Sequence, residues 1–83
     1  MQRVDWAMNL SGVLPQAKLL AIYIADNFNS YKIEGGMPLD LGNVARFCCT
    51  DPGQVEDLLR SLAIYSIPDG PGKLTFWLPE NVT

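Results

Sequence analysis

Histidine is absent from the 83 residues, and the two cysteines, Cys48 and Cys49, are sequence neighbours. A structural zinc site asks for four nitrogen or sulfur ligands, so no metal is expected. A disulfide between adjacent residues would be strained, which leaves the domain without a staple. Cys48 reads as a buried small hydrophobe and Cys49 as its neighbour at a helix end, with a redox role as the alternative.

Positive charge is also scarce. Six Lys and Arg face nine Asp and Glu, the net charge is -3, and basic residues nowhere form a run. The electrostatic footprint of a nucleic-acid binder is missing. No apolar run approaches the roughly 20 residues needed to cross a bilayer, and "MQRVDWAMNL" lacks the charged-then-apolar layout of a signal peptide. The expectation is a soluble cytoplasmic protein with no membrane partner. No serine stands with a partner base, no glycine-rich loop leads from a strand into a helix, and no acid pair has a legible spacing. Catalysis therefore has no candidate residues, and neither an enzyme nor a cofactor is expected.

What the chain does have is apolar residues, 48% of the total. A chain this short rarely divides into two cores, so residues 1–83 read as a single domain. Only about 60 to 65% of the unfolded surface is buried at this size, which makes core residues the default reading of any apolar cluster.

"LPQAKLLAIYIADNFN" opens with Pro15, favourable at a first helical position, and places Ala17, Leu20, Ala21, Ile24 and Phe28 at spacings of three and four. Leu19, Ile22 and Tyr23 add apolar surface on other sides, which predicts a central helix. The preceding "VDWAMNL" reads as a short turn or helix laying Trp6 and Leu10 on the core. "NSYKIEGG" reads as a loop, and "MPLD" as a small strand. Asp40 suits the N-cap of a second helix with Leu41, Val44, Ala45 and Cys48 as its stripe, broken from Thr50. Asp51, Pro52 and Gln54 resemble a capping box at the start of a third helix, where Val55, Leu58, Leu59 and Leu62 fall at i, i+3, i+4 and i+7. "IYSIPDGPGKLTFWL" sets two apolar runs around a strong turn signal and predicts a β-hairpin. The fold class is α+β and mostly helical: three helices with a C-terminal hairpin as the wing of a winged helix-turn-helix.

The run from Asp5 to Leu62 resembles the winged helix-turn-helix domains of bacteriophage and plasmid replication-initiation proteins. Trp6-Ala7, Leu14-Pro15, Lys18-Leu19-Leu20, Ala25-Asp26 and Asn29 carry the first half of the likeness. Val44-Ala45-Arg46-Phe47, Val55, Leu58, Leu59 and Leu62 carry the second, so it spans residues 4 to 62. The resemblance implies that the third helix enters the major groove while the hairpin touches backbone or minor groove. Family members tend to place Ser, Arg, Lys or Thr at the start and outer face of that helix. This chain has Asp51, Pro52, Gly53, Gln54, Glu56 and Asp57.

At about 100° per residue, the face opposite the leucine stripe centres on Gly53, Asp57, Arg60 and Ile64, with Gln54 and Glu56 flanking it. Gln54 has the chemistry to pair with adenine and Arg60 with guanine. Arg46 and Lys73 are the other candidate DNA contacts, as phosphate neutralisers. Two carboxylates about 7 Å from phosphates cost only about 1 kcal/mol before screening. The larger deficit is missing attraction, and a monomer is expected to bind DNA weakly.

Glu56 and Asp57 therefore have three readings: a solvated face, a protein-binding face or a DNA-facing surface. Leu74, Phe76 and Leu78 point inward if the last strand alternates, which throws Lys73, Thr75 and Trp77 outward. Trp77 is a candidate interface residue, or else folds against Trp6 or the N-terminal segment. Tyr23, Phe28, Tyr31, Phe47, Tyr65 and Phe76 lie on different elements and read mainly as core or core edge. The functional expectation is a non-enzymatic regulatory or accessory module in phage or mobile-element DNA transactions, controlling replication or transcription. It meets a protein partner through Glu56, Asp57 and Trp77. The alternative is direct DNA binding by the third helix and wing of a homodimer.

Overall fold

The structure, a computed structural model, describes residues 3–28, 36–79 and 82. The described residues form four α-helices, a 3-10 turn and a three-stranded antiparallel sheet. Pro15 starts the longest helix, α2 (Pro15–Asn27), because its fixed φ suits a helix start and its missing N–H needs no partner there. Ala17, Leu20, Ala21 and Ile24 are buried on one side, while Leu19, Ile22 and Tyr23 pack against the same core from its margins. The central position expected for this helix follows from that double coverage.

The segment before it is a full helix, α1 (Arg3–Asn9), with Trp6 and Ala7 buried and Leu10 half-buried. The Lys18 ammonium donates to the carbonyls of Met8 (3.2 Å) and Leu10 (3.0 Å), binding the end of α1 to α2. A cation is favoured there because the last carbonyls of a helix have no partner within it. The described residues thus hold four helices rather than three.

After residues 29–35, where the expected loop and Tyr31 lie outside the described residues, β1 (Met37–Asp40) leads straight into α3 (Leu41–Cys48). Asp40 caps α3: its Oδ1 accepts from the Asn43 N–H at 3.0 Å. Val44, Ala45 and Cys48 are buried as the stripe requires. The helix ends at Cys49, whose φ of 56° is left-handed.

The capping box expected at Asp51 does not form. Pro52–Gln54 make a 3-10 turn in which the Asp51 carbonyl, not its carboxylate, accepts from the Gln54 N–H at 2.9 Å. The Gln54 side chain instead meets the Thr50 hydroxyl, so neither reciprocal capping bond is made. Helix α4 (Val55–Ser61) follows, with Val55, Leu58 and Leu59 buried and Leu62 buried just past its end.

Strands β2 (Tyr65–Pro68) and β3 (Lys73–Trp77) form the expected hairpin, and the sheet order is β1-β3-β2. Pro38 and Pro68 fall on the two edge strands, where a missing N–H costs no ladder bond, and the proline-free β3 lies in the centre. Met37 pairs with Phe76 and Leu39 with Leu74, and all four face the helices, almost fully buried. Phe76 meets Phe28 edge-on at 5.3 Å. No helix among the described residues is long and apolar enough to cross a membrane.

Candidate functional site

Helices α3 and α4, the turn between them and the β2–β3 hairpin hold every candidate contact. Gln54 at the end of the 3-10 turn and Asp57 and Arg60 on α4 are exposed, and Glu56 is half-buried. Gly53 is exposed too, with open space where a Cβ would stand. Ile64 departs from the face assigned to it: it is 2% exposed. The helix ends before it, Ala63 takes a left-handed φ of 60°, and the chain turns Ile64 back onto the core.

Arg60, Arg46 and Lys18 have local partners. Arg60 pairs with Asp57 one turn earlier on α4, and both side chains remain exposed. Such a pair contributes little stability, yet it cancels charge on the outer face. Arg46 on α3 donates to the Asn43 amide oxygen. Arg3 is buried in α1, and Lys18 is committed to carbonyls of α1. Lys73 is exposed at the start of β3, opposite Asp40 in the strand register. Four residues along the same strand, roughly 13 Å away, lies Trp77. Lys73 and Trp77 therefore occupy opposite ends of one strand.

Trp77 neither stands free nor touches Trp6. It is half-buried, stacked at a tilt on Tyr65 with ring centroids 5.3 Å apart, and it covers Gly36. A Cβ on Gly36 would stand 2.8 Å from the indole, and the residue has a φ of +74°, so glycine is required there. The reason is register: Tyr65 lies directly across from Trp77, whereas Trp6 is buried in α1. Asp57 lines a separate depression with Leu14, Gln16, Thr50, Gln54 and Leu58.

Two exposed aromatic residues depart from the core assignment. Tyr65 is 66% exposed and Phe47 47% exposed. With Trp77, Ile67, Thr75 and Pro38, Tyr65 makes the outer face of the sheet. Phe47 packs on Tyr23 at 5.3 Å beside a groove that Val4 and Met8 also line. The i, i+4 spacing of Val4 and Met8, on the side of α1 away from Trp6, is the sequence signal for that groove.

Cys48 is buried and Cys49 exposed, both as free thiols. Burial, with the adjoining Cys49 adding to it, pushes the Cys48 thiol up to about 11. Among the described residues no group of three or more His, Cys, Asp or Glu converges as a metal site would require. No family model, curated protein or solved structure matches the chain.

Proposed function

We propose that this chain is a winged helix-turn-helix module, α3 and α4 forming the helix pair and β2–β3 the wing. It acts as a regulatory or accessory component of phage or mobile-element DNA transactions, chiefly through protein contacts. The observation that carries the reading is the Asp57–Arg60 pair: the one cation on the outer face of α4 is offset by a carboxylate on that face. A duplex-reading helix needs its Arg available for a base edge or a phosphate. The tilted Tyr65–Trp77 pair supports the same reading, since partly exposed aromatic residues supply anchors at protein interfaces. The resemblance to replication-initiation domains supplies the biological setting.

Gel shift and capture together test this. The protein should leave duplex DNA unretarded at moderate salt. A partner retained from extract of the native host should be lost, at least tenfold, with Asp57→Lys or Trp77→Ala and kept with Arg60→Ala. Retardation at moderate salt that Arg60→Ala abolishes would overturn the reading in favour of DNA recognition by a dimer.

A further inference from the structure

Away from α4 and the hairpin, helices α1, α2 and α3 enclose an open groove of about 190 Å³, lined by Val4, Ala7, Met8, Tyr23, Asp26 and Phe47 among others. Val4, Met8 and Phe47 are 52%, 60% and 47% exposed. Exposed apolar side chains are ordinary when scattered, but several around one concavity mark a place where something binds. Helix α1, only seven residues long, is apolar on two sides. Trp6 and Ala7 serve the core, and Val4 and Met8 serve no internal contact of comparable burial. Lys18 holds this helix at the groove wall through Met8 and Leu10.

We propose that the groove receives the apolar face of a basic amphipathic helix from another protein. A single Leu- or Phe-sized side chain seats beside Met8 and Phe47, and a Lys or Arg one turn away reaches Asp26.

Size sets the anchor, since an apolar cavity of about 150 Å³ holds one benzene-sized group. Charge sets the partner's sign: among the described residues the lining carries the Asp26 carboxylate and no cation, on a chain of net charge -3. The walls come from helices and present no strand edge, so an extended peptide would find no backbone to pair with, whereas a helix can lay side chains into such a groove. A second copy does not fit. A two-fold contact would set one concave patch on itself and bring another Asp26 without a cation. The inference concerns a surface apart from α4 and the hairpin, and it stands whether that other surface meets protein or DNA.

The test is a titration of the isotopically labelled full chain, followed by amide and methyl NMR. One probe is a helical peptide of about 14 residues with leucines on one face, at i, i+3, i+4 and i+7, and lysines elsewhere. The other has glutamate for every lysine. The lysine peptide should shift signals of Val4, Met8, Tyr23 and Phe47 and bind at least tenfold more tightly than the glutamate peptide. Met8→Lys, at a side chain that supports little of the core, should weaken the lysine peptide at least tenfold while leaving the far-UV circular dichroism unchanged. Asp26→Asn should weaken it about threefold, and Trp77→Ala should leave it unchanged. Absence of binding, equal binding of both peptides, insensitivity to Met8→Lys, or shifts centred on α4 and the hairpin would each overturn the proposal. Because Trp77→Ala and Met8→Lys act on different surfaces, loss of one activity does not imply loss of the other.

Discussion

Adjacent thiols in this chain have opposite chemistry because one turn of backbone separates their surroundings. Cys48 ends the buried stripe of α3, while Cys49, in the left-handed conformation that closes the helix, faces water. The thiolate is the reactive form, so burial protects Cys48 twice, by access and by suppressed ionisation. A thiol reagent should modify one cysteine in the native protein and two after unfolding. The pH dependence follows from linkage. The unfolded chain releases the Cys48 proton near 9.0 and the folded chain only at about 11, so the folded state binds more protons in between. Stability contributed by the protonated, buried thiol is fully present below pH 9 and is lost as pH rises toward 11. Urea unfolding of the native chain should show a steeper decline across that window than Cys48→Ala. Equal slopes would contradict the burial argument.

Helix ends govern what each element can present. Past α4, Ile64 N–H donates to the Leu59 carbonyl (2.9 Å) and Ala63 N–H to that of Arg60 (3.0 Å), the bond pattern of a Schellman cap. The residue in the left-handed position of such a cap is usually glycine, and here it is alanine, with a φ of 60°. A Cβ in that conformation costs about 1 to 2 kcal/mol, of which glycine's greater freedom when unfolded returns roughly half. Ala63→Gly should therefore stabilise the protein by about 0.5 to 1 kcal/mol, read as a higher urea midpoint at unchanged slope. No gain would mean that the cap relaxes the strain elsewhere. This cap also marks where sequence reading reaches its limit. The periods of α2, α3 and α4, the Asp40 cap and the hairpin were legible, because periodicity and capping are local properties of the chain. Ile64 was not, because helical projection carried past Ser61 assigns it to a face that the Schellman turn abolishes. The Asp57–Arg60 pair lay open to inspection at i, i+3. The groove did not, since it joins residues of three elements and needs the packing of α1 on α2.

Among the described residues one buried cluster joins the four helices with β1 and β3, from Trp6 of α1 to Leu78 after β3, and reaches Val82. A core of this kind has no second unit to fall back on when one part loosens. Total stability for a chain of this length is roughly 4 to 12 kcal/mol. Phe76 is fully buried at the centre of the sheet, packed on Phe28 beyond α2 and paired with Met37 of β1. Phe76→Ala removes a large ring and leaves a cavity that both layers line, at a cost of about 3 to 5 kcal/mol. That is about a quarter or more of what holds the fold, so the variant should unfold at a much lower urea concentration, with fluorescence and far-UV circular dichroism changing together. Native-state hydrogen exchange separates a shared core from two independent layers. If the core is shared, the substitution lowers protection of the slowest amides of α2 as much as those of β3; protection lost from the sheet alone would mean that the helices hold together without it.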